Sequence, residues 1–79
     1  MKFRCICCGY KTIEHEDPLW HDICPVCYWE NDPVQNSNHD SCNGANRISL
    51  NEAIANYKEF GAVMRDFLKY VREPYPNEQ

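Results

Sequence analysis

Four of the six cysteines form two Cys-x-x-Cys pairs with fifteen residues between the pairs. The two-residue gap lets the chain turn tightly, so that both thiolates of a pair can point at one ion. Four thiolates in this spacing range are the ligand set of a tetrahedral zinc site with metal–sulfur distances of about 2.3 Å. The sequence therefore predicts that one zinc ion is bound by the four cysteines of these pairs, Cys5, Cys8, Cys24 and Cys27.

Such a site would have a structural role, because four thiolates leave no open coordination position for water or substrate. A chain of 79 residues buries only a small apolar core, and a bound metal commonly stabilises domains of this size. The histidines, His15, His21 and His39, are not spaced like catalytic or metal-binding pairs and are predicted to lie at the surface. Because no residues form a catalytic pattern, the sequence predicts a protein that is not an enzyme.

Iron is the alternative ion. Cys-x-x-Cys-Gly-Tyr followed later by Cys-Pro-x-Cys is also similar to the iron site of a rubredoxin, which would imply electron transfer. Against iron, the separation of fifteen residues is shorter than in rubredoxins, and the C-terminal half has helical patterns that rubredoxins lack. Zinc is therefore preferred, and a rubredoxin-like electron-transfer protein is retained as an alternative.

Two cysteines lie outside the pairs, and both are predicted to be free thiols. Cys7 stands between two predicted ligands, which leaves open an exchange of Cys5 and Cys7 at the metal. Cys42 follows His39 by three residues and could belong to a different ligand set or be a reactive thiol.

Short extended segments must position the cysteine pairs. Residues 2–4 and 10–13 flank the first pair and predict a hairpin, and Ile23 and Tyr28-Trp29 flank the second pair in the same way. Gly9 suits a left-handed backbone position in the first turn, and Pro25 presets a φ angle in the second. Residues 31–46 are rich in asparagine and predict a long polar loop, which in a compact domain tends to be functional or mobile.

Two helical patterns follow this loop. Ser49 and Glu52 are spaced as a capping box, in which each side chain accepts a hydrogen bond from the other residue's backbone N–H. Gly61 is placed to end the first helix, although one longer helix bent at Gly61 is an alternative. Apolar residues recur at i, i+3, i+4 and i+7, and they are Leu50, Ala53, Ile54 and Tyr57 in the first pattern and Met64, Phe67, Leu68 and Val71 in the second.

The predicted fold is a small α+β metal-stapled domain that occupies residues 1–79. A zinc-ribbon-like pair of knuckles or hairpins forms the cysteine-rich half, residues 1–46, which includes the polar loop. Two short C-terminal helices form the other half, residues 47–79.

The formal net charge of −4 lies in the cysteine-rich half. Residues 1–46 carry three basic and seven acidic side chains, whereas residues 47–79 carry five of each. This distribution disfavours nucleic acid as a partner. No stretch approaches the roughly 20 apolar residues that span a bilayer, and the first residues lack the apolar region of a secretory signal. The sequence therefore predicts a cytoplasmic protein that does not bind membranes.

The motifs taken together resemble a known family. The segments that carry the resemblance are Cys5-Ile6-Cys7-Cys8-Gly9-Tyr10, residues 23–30, Val34-Gln35, Gly44-Ala45-Asn46, residues 49–53, Phe60-Gly61-Ala62 and residues 67–72. Over nearly the whole chain they are similar to the small bacterial cysteine-rich CPCC family. The family's name implies a proline at position 6, where this chain has Ile6. Because the family has no established activity, the resemblance implies a zinc-ribbon fold and no particular function.

A closed metal site, an acidic half and no catalytic set favour a protein that acts by binding another protein with a basic surface. Aromatic side chains make good anchors in such interfaces. The residues predicted to contact the partner are Trp20, Trp29, Glu14, Glu16, Asp17 and Asp32. A narrower alternative is an immunity-type inhibitor whose acidic face blocks a basic bacterial toxin.

Overall fold

A computed structural model describes residues 1–79, the whole of the chain. Its elements, in chain order, are β1 (Phe3–Arg4), β2 (Lys11–Ile13), a 3-10 helix (Pro18–Trp20), α1 (Pro33–Ser37), α2 (Leu50–Phe60) and two further 3-10 helices (Arg65–Tyr70 and Pro76–Glu78). The prediction of a small α+β fold, with a hairpin in the cysteine-rich half and short helices after it, is confirmed.

Strand pairing is confined to the flanks of the two cysteine pairs. β1 and β2 are antiparallel, with Phe3 opposite Ile13 and Arg4 opposite Lys11. The register is irregular between these two residue pairs. Around the second cysteine pair, a single antiparallel bridge joins Ile23 to Glu30. The predicted second hairpin therefore consists of this one bridge, and α1 begins three residues after it, at Pro33.

The asparagine-rich segment is held by buried polar side chains. α1 begins after Asp32, whose Oδ1 accepts hydrogen bonds from two backbone N–H groups of the helix. Gln35 is fully buried, and its Nε2 donates to three backbone carbonyls, those of Ser41, Asn46 and Ile48. A Cβ on Gly44 would lie 2.7 Å from Gln35 Oε1, so any other residue there would displace the buried Gln35 side chain. The predicted loop is therefore a short helix followed by chain that folds around Gln35.

The second half contains one α-helix, α2, and two 3-10 helices. Ser49 Oγ accepts from the Glu52 N–H at 3.1 Å, but the return bond of the predicted capping box is not made. Gly61, with φ of 95°, ends α2, so the alternative of one long bent helix is wrong. Met64 precedes the second helix without a side-chain cap. A spacing of three residues also suits a 3-10 helix, which is how this segment folds.

The apolar core joins both halves of the chain. Its buried residues are Cys5, Cys7, Ile13, Cys24, Val26, Cys27, Trp29, Leu50, Ala53 and Val63. Leu50 and Ala53 lie three residues apart and so share the inner face of α2. The cysteine pairs are part of the core itself, so their side chains are packed against other core residues. None of the helices has the length and apolar character needed to cross a membrane.

Candidate metal centre

The two cysteine pairs lie in turns with the same backbone hydrogen bonds. In the first turn, the Cys5 N–H donates to the Tyr10 carbonyl and the Gly9 N–H donates to the Cys5 carbonyl, both at 2.8 Å. In the second turn, the corresponding bonds run from Cys24 to the Trp29 carbonyl and from Tyr28 to the Cys24 carbonyl. Each turn therefore presents its two sulfurs on one side.

The turns bring all four predicted ligand sulfurs together. The Sγ atoms of Cys5, Cys8, Cys24 and Cys27 all lie within 4.8 Å of one another. Between the turns, the sulfur–sulfur distance is 3.6 Å for Cys5 with Cys27 and 3.7 Å for Cys8 with Cys24. These distances are far longer than the roughly 2.05 Å of a disulfide, and all six cysteines are unpaired. This cluster could hold one metal ion.

The dimensions of the cluster fit a tetrahedral ion. Metal–sulfur distances of about 2.3 Å give a tetrahedron whose sulfur–sulfur edges are about 3.8 Å long. The two distances between the turns, 3.6 Å and 3.7 Å, are close to this length. Cys5, Cys24 and Cys27 are buried, and Cys8 is half-buried. An ion at the centre would have no open position for substrate.

Several donors point at the sulfur atoms. Backbone N–H groups of Cys7, Val26 and Trp29 each lie 3.4 Å from a sulfur, those of Cys5, Cys24 and Cys27 respectively. The Thr12 hydroxyl lies 2.9 Å from Cys24 Sγ. These donors offset part of the negative charge that four thiolates would bring into the core.

The electrostatics of the cluster show how strongly the sulfurs interact. Hydrogen bonds from Cys27, Cys5 and Cys8 lower the pKa of the Cys24 thiol, and Thr12 acts in the same direction. The pKa values of the other three thiols are raised, chiefly because each donates to the Cys24 sulfur. A cluster of four thiolates this close together requires a cation to balance its charge.

The remaining cysteines and histidines lie outside the cluster. Cys7 is buried, and its thiol lies near enough to Cys27 to help raise the pKa of that thiol, but it is not one of the four clustered sulfurs. Cys42 is exposed and is likewise not part of the four-sulfur group. The exchange of Cys5 and Cys7 is thereby disfavoured. His39 Nε2 makes a hydrogen bond with the Asn36 carbonyl, and His15 faces Asp22.

The six residues predicted to contact a partner fall into two groups. Trp20 is 64% exposed, and Glu14, Glu16 and Asp17 are exposed on the same segment. Trp29 is fully buried and Asp32 is 7% exposed. Both therefore have other roles, and their prediction as partner-binding residues is wrong.

The structure explains what Trp29 and Asp32 do instead. The Trp29 ring fills the core, and its Nε1 donates to Asn36 Oδ1 at 3.1 Å. Asp32 caps α1 and also accepts from the Ala45 N–H. Burial raises the pKa of the Asp32 carboxyl, but the hydrogen bonds from three N–H groups outweigh burial and leave the pKa lowered. Aromatic and acidic residue types alone could not separate these two from the exposed ones.

Two features of the site were not predicted. Thr12 contacts a cluster sulfur, and Tyr28 takes the left-handed backbone position with φ of 74° that Gly9 takes in the first turn with φ of 83°. Alignment of the two cysteine pairs would have indicated the second feature, because Tyr28 follows Cys27 as Gly9 follows Cys8. No pattern in the sequence marks Thr12.

Comparison with known protein families identifies a match to this chain. The family model described as cysteine-rich CPCC matches residues 3–78, which include all four clustered cysteines. No curated protein matches the chain.

Proposed function

The chain belongs to the cysteine-rich CPCC family, and we propose that it is a non-enzymatic, zinc-stapled protein that binds a basic partner protein in the reducing cytoplasm. The observation that carries the proposal is the closed four-sulfur cluster inside the apolar core. A metal ion there would tie the hairpin to the chain that surrounds it, and it would have no free position for catalysis.

Zinc is the ion that we propose. Its tetrahedral preference agrees with the sulfur spacing, and it brings no redox chemistry into the core. Iron has similar metal–sulfur distances in thiolate sites, so the geometry suits both ions. The short separation between the cysteine pairs and the helical second half support zinc.

The partner-binding part of the proposal rests on the segment from Glu14 to Trp20. Leu19 and Trp20 are 67% and 64% exposed, so two large apolar side chains face solvent within one short 3-10 helix. The Trp20 ring stacks on His15 with 4.2 Å between ring centroids, which holds its orientation. Exposed acidic side chains of Glu14, Glu16 and Asp17 precede it. An aromatic anchor beside acidic groups suits a basic surface.

Elemental analysis tests the metal. The protein is expressed without metal supplementation, purified without chelators and analysed for zinc and iron. We expect one zinc per chain and a colourless preparation. A red protein with one iron per chain would replace the proposal with the rubredoxin-like alternative, and a folded protein that contains no metal would overturn both.

A matched pair of charge reversals tests the surface. Glu16→Lys changes the proposed surface. Glu59→Lys makes the same change at an exposed position on α2, where Glu59 Oε1 lies 3.8 Å from Arg65 Nη2. Immobilised wild type is used to capture partners at low salt, and the variants are compared for each captured protein. We expect Glu16→Lys and Trp20→Ala to lose a basic partner that Glu59→Lys retains. Equal capture by all variants would overturn the assigned surface. Capture of a basic nuclease that wild type inhibits would support the narrower immunity-type function.

A further inference from the structure

The hydrogen bonds to the four clustered sulfurs are unequal. Cys24 Sγ receives two donors, the Val26 N–H and the Thr12 hydroxyl. Cys5 and Cys27 each receive one backbone N–H. Cys8 receives none from the backbone or from another residue type, and its only partner is the Cys24 sulfur.

Thr12 makes the largest contribution to this inequality. It lies in β2, is 4% exposed, and makes no side-chain hydrogen bond other than the one to Cys24. A metal-bound thiolate has no proton, so the hydroxyl must be the donor. Hydrogen bonds to charged groups are the stronger kind, and the 2.9 Å distance is short for an oxygen–sulfur pair.

Exposure separates Cys8 from the other three clustered cysteines, which are all buried. Cys24 is completely buried, and Thr12 forms part of a shallow surface pocket that also includes Lys2, Asp22 and Pro25. Thr12 therefore lies between this pocket and the Cys24 sulfur. Cys8 is the only member of the cluster that is not buried. Reactivity of cysteine sulfurs increases with thiolate character and with exposure.

We propose that these contacts divide the metal-bound thiolates into a protected one, Cys24, covered by Thr12, and a reactive one, Cys8, which soft electrophiles modify first. This inference rests on the proposed metal binding. Thr12 acts as a positioning residue, since it does not touch the ion. When the Cys8 thiolate adds to a maleimide, a carbon–sulfur bond forms as the carbon–carbon π bond breaks, and the resulting enolate takes a proton from water. The product is a neutral thioether, so one thiolate ligand is lost and the site opens.

The test uses the zinc-loaded protein with Cys42→Ser, because exposed Cys42 would otherwise react in parallel. One equivalent of N-ethylmaleimide is added, zinc release is followed with a chromogenic chelator, and adducts are located by peptide mass spectrometry. We expect the first adduct on Cys8, together with zinc release. First adducts on Cys7, Cys5 or Cys27, or an even distribution, would overturn the proposal.

Variants of Thr12 test the protected side. Thr12→Val keeps the shape of a β-branched side chain and removes the donor, whereas Thr12→Ser keeps the donor. With Thr12→Val we expect adducts at Cys24 to increase and zinc affinity to fall about tenfold in competition with a chelator. In cobalt-loaded protein, the sulfur-to-cobalt charge-transfer band should move to lower energy in Thr12→Val and stay in place in Thr12→Ser.

The outcomes separate this inference from the function on which it rests. If elemental analysis before alkylation finds no metal, the proposed metal site fails. If one ion is bound and Thr12→Val leaves the cobalt band and the adduct pattern unchanged, the metal site stands and the division between Cys24 and Cys8 is wrong. Thermal unfolding of both Thr12 variants measures any loss of stability. If Thr12 had only a structural role, Thr12→Val would lower the unfolding midpoint and leave the cobalt charge-transfer band in place.

Discussion

The two Cys-x-x-Cys turns have the same backbone in different surroundings. Both place a residue in the left-handed region directly after the second cysteine, Gly9 at φ of 83° and Tyr28 at φ of 74°. Left-handed backbone costs a residue with a side chain about 1–2 kcal/mol, and glycine avoids that cost. The first turn therefore has an unstrained backbone at Gly9 but no side chain there to pack. The second turn has a strained backbone at Tyr28 and a large aromatic ring at the same position.

The Tyr28 ring explains why the second turn keeps a strained residue. It packs against Phe67 with 4.8 Å between ring centroids and against Tyr70 with 5.4 Å. Backbone bonds from Val63 to the Cys27 carbonyl and from Arg72 to the Pro25 carbonyl join the same C-terminal segment to the turn. One turn is thus built mainly by local geometry, and the other is held by chain that is distant in sequence.

If a metal is bound as proposed, its loss should affect both turns and should have the largest effect of the changes considered. Zinc binding in small metal-stapled peptides contributes about 10–16 kcal/mol, more than a domain of this size has in net stability. We therefore expect the metal-free protein to lose the helical far-UV circular dichroism of α2. Retention of the full helical signal after removal of the metal by EDTA and dialysis would contradict this expectation.

Single ligand variants extend this prediction to the two turns. Cys27→Ser places a hydroxyl in a completely buried position, whereas Cys8→Ser alters the half-buried member of the proposed ligand set, where water could complete the coordination. We expect Cys27→Ser to lose more zinc affinity than Cys8→Ser in chelator competition.

The tryptophans beside the turns should differ next. Trp29→Ala removes a fully buried ring and should cost about 3–5 kcal/mol in the free energy of unfolding. Trp20→Ala removes a ring that is 64% exposed and should cost less than about 1 kcal/mol. Urea unfolding of both variants with zinc in excess measures the difference. Similar losses in the two would mean that Trp20 also stabilises the fold, which would weaken its assignment as a partner anchor.

Substitution at either left-handed position should destabilise the fold, but for different physical reasons. Gly9→Ala should cost about 1–2 kcal/mol from backbone strain alone, because a Cβ there meets no atom within 4 Å. Tyr28→Gly relieves strain but loses the ring contacts, so we expect a net loss of stability in the wild-type background. With Phe67→Ala and Tyr70→Ala already present, Tyr28→Gly should become neutral or stabilising. A loss that is unchanged in that background would show that the Tyr28 ring is needed for another contact.

The same contrast shows which features the sequence could predict. Spacing within and between the cysteine pairs was sufficient to predict the four-sulfur cluster, because the short turn geometry is local. Gly61 predicted the end of α2 for the same reason. The sequence wrongly predicted that Trp29 and Asp32 contact a partner, and it did not indicate that Gln35 is buried. Burial of these side chains depends on contacts with parts of the chain that are distant in sequence. Thr12 was missed because its partner Cys24 is twelve residues away and across the cluster.

The smallest effect should come from the C-terminal end of the segment that holds the second turn. Arg72, whose N–H donates to the Pro25 carbonyl, forms a bidentate pair with Glu78 in which both nitrogen–oxygen distances are 2.8 Å. Hydrogen bonds from Arg72, and then from the Tyr75 N–H, lower the pKa of Glu78 from 4.5 to about 2. The charged carboxylate therefore stabilises the fold above about pH 4.5, and that contribution is lost as the pH falls towards 2.

Glu78→Gln should lower the midpoint of thermal unfolding slightly at pH 7. The difference in midpoint between wild type and variant should then shrink as the pH falls below about 4.5. Acid also protonates the thiolates in this range, so the difference is measured at each pH with zinc in excess. Glu73→Gln, an exposed change of the same charge in the same segment, is the control. If the midpoint difference at pH 3 were as large as at pH 7, the charged Arg72–Glu78 pair would not be what fastens this segment beside the second turn.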